Sequence, residues 1–246
     1  MCTIETMRCD QRSRSRATSG LRAALAAGIG MALCCTCLAQ LPPTATEYAQ
    51  YTGLFAAAAR NDTTKIVKLL RAGEYAGMRD DHGRTPLHVA AWRKAHDAMR
   101  LLVRATHDPN VLDNDGYDIV AIAAAVGDVP GLRLALAMGC SPRRAAGPDG
   151  STALIVAARR GDDAAVRALL HAGAPIDYPD KTGDTALSAA IAKGKAGMRQ
   201  VATVRTLVAV GAKLDIADAT GQTPLAVARA RGLREIAEIL ERAGAK

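Results

Sequence analysis

The sequence predicts an all-α solenoid, about six helix–turn–helix repeats joined by short β-hairpin-like turns. Three observations carry that expectation. The segment Gly83-Arg84-Thr85-Pro86-Leu87-His88 recurs in weaker form behind Gly116, Gly150, Gly183 and Gly221, at intervals of 33, 34, 33 and 38 residues. Each copy is followed by apolar stripes at i, i+3, i+4 spacing, the mark of short amphipathic helices. The third observation is composition. A single Phe and 3% aromatic residues leave no material for a core of bulky rings, whereas abundant alanine and leucine suit thin layers that pack only on their neighbours.

Residues 1–39 differ from the rest. Arg8, Arg12, Arg14, Arg16 and Arg22 make a basic start, residues 23–38 an apolar run, and Ala39 a small residue before Gln40 and Pro42-Pro43. That order is the order of a secretory signal, with cleavage expected after Ala39. The run is short for a spanning helix, which needs about 20 residues. An uncleaved membrane anchor is the alternative. Cys2, Cys9, Cys34, Cys35 and Cys37 fall in this leader, so its removal leaves Cys140 alone and excludes an internal disulfide. The leader holds five arginines against Glu5 and Asp10, and its loss lowers the +8 of the whole chain by 3, to a mildly basic +5.

A linker is expected over 40–46 and a repeat domain over 47–246, with repeats near 47–79, 80–112, 113–146, 147–179, 180–217 and 218–246. Thr85 is placed to cap a helix, Pro86 suits the first helical position, and Leu87 opens the buried face. Thr52, Asp118, Thr152, Thr185 and Thr223 hold the cap slot elsewhere, and Leu54, Val120, Leu154, Leu187 and Leu225 hold the leucine slot. His88 is replaced by Phe55, Ala121, Ile155, Ser188 and Ala226, so five turns are expected to lack its fastening. Asn61, Gly127, Gly161, Gly194 and Gly232 stop the first helices; Lys94 is the exception. The fifth repeat gains five residues around Gly194-Lys195-Ala196-Gly197-Met198-Arg199, expected to lengthen a loop or extend a helix by about a turn.

A period near 33 with a Thr-Pro-Leu-His core resembles the ankyrin repeat, and the resemblance covers roughly residues 46–246. It implies a turn followed by two antiparallel helices in each repeat. It also implies that His88 hydrogen-bonds backbone or the Thr85 hydroxyl, and that acids such as Asp113, Asp115, Asp149, Asp180 and Asp218 order the hairpins. The concave groove of inner helices and hairpin tips then binds a protein.

No nucleophile motif, phosphate loop or metal cluster stands out, so no cofactor or metal is expected and the chain is read as a non-enzyme. Six residues after the leucine slot stand Arg60, Arg93, Val126, Arg160, Lys193 and Arg231. Stacking sets equivalent residues side by side, so these form a basic row, with Trp92 and Arg159 one position earlier. Trp and Arg are types enriched at binding hot spots. The candidate partner-binding residues are therefore Arg60, Trp92, Arg93, Arg159, Arg160, Lys193 and Arg231. The expectation is an exported scaffold, periplasmic or secreted, that binds a protein with an acidic surface. A secreted effector, or an immunity or regulatory protein for a neighbouring toxin or stress enzyme, is the alternative. Nucleic acid and a small-molecule substrate are not expected, and a membrane enters only if the leader stays.

Overall fold

The computed structural model describes residues 42–192 and 197–246. The expected leader, its cysteines and cleavage site, Lys193 and the 194–196 part of the insertion lie outside the described residues. Helix α1 spans Ala45–Gln50, and six pairs follow it. They are α2 (Gly53–Ala59) with α3 (Thr63–Arg71), α4 (Pro86–Trp92) with α5 (His96–Ala105), and α6 (Ile119–Val126) with α7 (Val129–Ala137). Then come α8 (Ala153–Arg160) with α9 (Asp163–His171), α10 (Ala186–Ala192) with α11 (Met198–Ala209), and α12 (Pro224–Ala230) with α13 (Arg234–Arg242). This is the expected solenoid of helix pairs. No described helix is long and apolar enough to cross a membrane.

Each first helix packs on its own partner and on the first helices before and after it. First helices sit closer to one another than second helices do, which curves the stack with the first helices inside. Close approach requires small side chains, and Ala57, Ala58, Ala90, Ala91, Ala157, Ala158, Ala189 and Ala190 are all buried there. Leu54, Leu87, Val120, Leu154, Leu187 and Leu225 are each at most 1% exposed. On the second helices Ile66, Met99, Leu132, Val166, Val204 and Ile236 fill the matching layer. Two leucine-sized groups per repeat in an alanine frame thus make one continuous core.

The caps follow the sequence with one exception. Asp118, Thr152 and Thr223 accept the backbone N–H of Ala121, Ile155 and Ala226 at 2.8, 3.4 and 3.3 Å. Thr52 makes no such bond; instead the Glu74 carboxylate accepts the Leu54 N–H at 2.8 Å. At the turns, Asp80, Asp113, Asp180 and Asp218 each accept N–H groups two and four residues on. Neighbouring turns are then tied by backbone bonds, Asn114 N–H to His82 O and Lys181 N–H to Asp149 O, both 2.9 Å. Between Gly116 and Gly150, where the interval is 34 rather than 33 residues, the chain enters a short ribbon, β1 (Ala145–Ala146) antiparallel to β2 (Ser151–Thr152).

Lys94 and Asn61 take the left-handed conformation with φ of 56° and 55°, which Gly127, Gly161 and Gly232 adopt at the same slot. A side chain at positive φ costs about 1 kcal/mol. Lys94→Gly is therefore expected to raise stability by up to about 1 kcal/mol, read as a later urea midpoint at unchanged slope. A lower midpoint would show that the lysine stem is worth more than the strain.

The insertion lengthens a helix. α11 has 12 residues against 9 in α9, and its added turn carries the buried Gln200. That amide lies over Gly161, where a β-carbon would come within 2.6 Å of it. At the other end, α1 straddles the expected boundary at residue 47. Thr44 and Glu47 cap it reciprocally. Glu47 also pairs with Arg84 and, at 3.2 Å, His82, while the Tyr51 hydroxyl donates to Asp80 at 2.7 Å. Helix α1 thereby holds the second repeat's turn where a preceding turn would otherwise stand.

Candidate binding surface

The basic row sits where the first helices end. Arg60, Arg93 and Arg231 are C-caps, Arg160 is the last residue of α8, and Val126 is the last of α6. All four arginines are exposed. The Arg93 Nε donates to Ala59 O at 3.4 Å, and its guanidinium lies 5.0 Å from the centre of the Tyr48 ring. Arg231 donates to Ala192 O at 2.8 Å and to Ile191 O. The guanidinium of Arg160 lies over Gly127. Arg93, Arg160 and Arg231 therefore each reach back to the turn that precedes them in the row. The physical reason is local: the last carbonyls of a helix lack intrahelical donors and carry the negative end of its dipole. The row clamps repeat to repeat as well as lining the inner edge.

Arg159 leaves the candidate surface. Its guanidinium turns into the hairpin layer, donating to Ser151 Oγ at 3.3 Å and facing Asp180 at 3.5 Å and Asp149 at 3.6 Å. The Asp180 side chain is fully buried, so Arg159 neutralises a charge that solvent cannot reach. Successive residues of a helix point about 100° apart, and that separates Arg159 from Arg160. Trp92 is half-buried against the core, its indole N–H enclosed with no acceptor among the described residues.

The Thr85-Pro86-Leu87-His88 segment is structural. His88 Nδ1 lies 3.1 Å from the Thr85 backbone N and 2.8 Å from its hydroxyl. Nε2 lies 3.1 Å from both Val111 O and Tyr117 O. Two carbonyls at Nε2 require the proton there and leave Nδ1 to accept. Burial drives the imidazole pKa down to about 4 against the pull of those carbonyls. One neutral ring thus joins its own cap to the next repeat. Ser188 was expected to lack this fastening, yet its hydroxyl accepts the Thr185 N–H at 2.8 Å and donates to Asp184 at 3.2 Å. It rebuilds the local half of the clasp and is too short for the rest.

Cys140 is buried, and burial, followed by the charges of Asp118 and Asp108, pushes its thiol up to about 12. A thiol so protonated is poorly set for exchange. Among the described residues no group of three His, Cys, Asp or Glu could hold a metal ion.

A model of ankyrin repeats in three copies matches residues 23–113, 92–180 and 119–218. An ankyrin repeat-containing protein of Treponema pallidum (strain Nichols) is 34% identical over 132 residues, 52% of this chain and 44% of that protein. The chain spans less than half the length of the curated relatives it matches. The crystal structure of an ankyrin repeat domain from Acinetobacter baumannii AYE superposes with a TM-score of 0.74 at 36% identity, over 78% of this chain and 98% of that one. The same fold recurs, at a TM-score of 0.67 and 24% identity over 78% of this chain and 98% of that one, in the structure of a predatory endopeptidase from Bdellovibrio bacteriovorus in complex with an immunity protein. Repeat spacing, helix pairing, the His88 clasp and these matches agree: the chain belongs to the ankyrin-repeat family.

Proposed function

We propose that this chain is an exported, non-enzymatic scaffold that holds an acidic face of a partner protein against its inner edge. Ankyrin repeats bind protein partners. The observation that carries the finer reading is the row of exposed arginines, Arg60, Arg93, Arg160 and Arg231, in register on one edge. Export is supported by the order of basic, apolar and small residues over 1–39. The recurrence of the fold in a complex of an endopeptidase with an immunity protein supports one concrete form, control of a neighbouring enzyme.

Affinity capture from an envelope extract tests this, with tagged wild-type and Arg60→Glu/Arg160→Glu chains side by side and mass spectrometry of both bait and prey. Arg93 is spared because it stacks on Tyr48. The double reversal is expected to cut recovery of the partner by about tenfold or more, while unfolding shifts by less than about 1 kcal/mol. The recovered bait is expected to begin at Gln40. Equal recovery of the same partner by both chains removes the arginine row from the account, and bait that retains residues 1–39 in the membrane fraction favours the anchor.

A further inference from the structure

The outer face carries a second basic row. One residue beyond the buried Met99, Leu132, Val166 and Val204 stand Arg100, Arg133, Arg167 and Arg205, all exposed. Three of them pair with an acid: Arg100 with Asp97 at 2.7 Å, Arg167 with Asp163 at 2.8 Å, and Arg205 with Glu235 at 2.8 Å. The groove between α3 and α5 is different. It is an open groove of about 710 Å³, with the partly exposed Val67 and Leu101 between Lys68, Arg71, Arg100 and Arg104. Among the described residues no acid pairs with Lys68, Arg71 or Arg104, and Asp97 is the only acid lining the groove. Lys68 with Arg71 and Arg100 with Arg104 are like charges three and four apart on one helix, an arrangement that costs helix stability by itself.

From this we infer that the α3–α5 groove docks an acidic peptide segment of a partner protein. Carboxylates meet Arg71 and Arg104 on the rims, and an apolar side chain between them enters over Val67 and Leu101. Charge complementarity argues for the occupant. Among the described residues no aromatic side chain lines the groove for bases to stack on. Helix-in-groove recognition lays the apolar anchors of a peptide into a groove in this way. The groove lies between second helices, away from the inner arginine row, so either surface can fail without the other.

Fluorescence anisotropy of the full chain tests it with a labelled Glu-Glu-Leu repeat peptide of about twelve residues. Arg71→Glu/Arg104→Glu is expected to weaken binding by about tenfold or more, and the milder Arg71→Gln/Arg104→Gln by a few-fold. Arg60→Glu/Arg160→Glu is expected to stay within about twofold of wild type, and an all-glutamate peptide to bind at least about fivefold more weakly than the Glu-Glu-Leu peptide. Far-UV circular dichroism confirms that each variant is folded. No binding of the Glu-Glu-Leu peptide overturns the inference, as does binding that is insensitive to both variants at Arg71 and Arg104. Tighter binding of anionic phospholipid vesicles or single-stranded DNA, lost on the same reversal, overturns it too.

Discussion

His88→Ala is expected to lower the unfolding free energy by about 3 kcal/mol near neutral pH. The substitution strands the buried Thr85 N–H and removes the donor to Val111 O and Tyr117 O, of which Tyr117 O keeps the Asp113 N–H at 3.0 Å, and a buried group left unpaired costs more than its bond gains. It also cuts the second repeat's cap from the third repeat. The same ring makes stability depend on acid. The native imidazole titrates at about 4, below its ordinary 6.5, so as pH falls from 6.5 the unfolded chain takes a proton that the native chain refuses. Stability from this group is full above pH 6.5, declines between 6.5 and 4, and falls no further below that. The difference amounts to about 3 kcal/mol over the window, at about 1.4 kcal/mol per pH unit. Urea unfolding at a series of pH values from 8 to about 4.5 reads both effects. A variant that loses less than about 1 kcal/mol at neutral pH, or keeps the wild-type decline between 6.5 and 4.5, would falsify this role for His88.

Leu154→Ala is expected to cost about 3 kcal/mol, and Leu54→Ala about half as much, although both side chains are fully buried. The alanine-rich first helices leave the leucine slot as the principal filling of each layer, so a truncated leucine leaves a cavity that close-packed backbones cannot collapse. The difference between the sites comes from position. Leu154 lies on α8, which packs between α6 and α10, whereas Leu54 lies on α2 at the amino-terminal end of the stack. In a one-dimensional array a weakened end frays, and the loss is limited to that repeat and one interface. Urea unfolding by circular dichroism measures the totals. Trp92, the only Trp, reports the second repeat, and its signal is expected to move ahead of the global transition in Leu54→Ala alone. Equal costs at the two sites would mean that the array unfolds as one rigid unit.

What could be read from the chain follows from the range of the interactions. A threonine or aspartate at a helix start acts on an N–H three residues away, so Asp118, Thr152 and Thr223 are legible as caps. Thr52 misled because its helix opens with Gly53 at positive φ and takes its cap from Glu74, 20 residues away in sequence from the amide it serves. The Ser188 clasp was missed because it rests on Asp184 as well as Thr185. Arg159 and Arg160 are alike in sequence. They part because a buried Asp180 from the next repeat captures one of them.

The sequence by itself determined the all-α class, the helix pairs, the capped turns, the buried slots and the register that aligns the inner arginines. These depend on short-range spacing and on a period that repeats without regard to the rest of the chain. Only the tertiary structure decided where the long side chains go. It turned Arg159 inward, laid Arg93 on Tyr48 and Ala59, docked α1 against Arg84 and Asp80, and set Lys68, Arg71 and Arg104 around an apolar groove with no acid partner among the described residues. Long flexible side chains choose among partners brought close by folding, and no local pattern names those partners in advance.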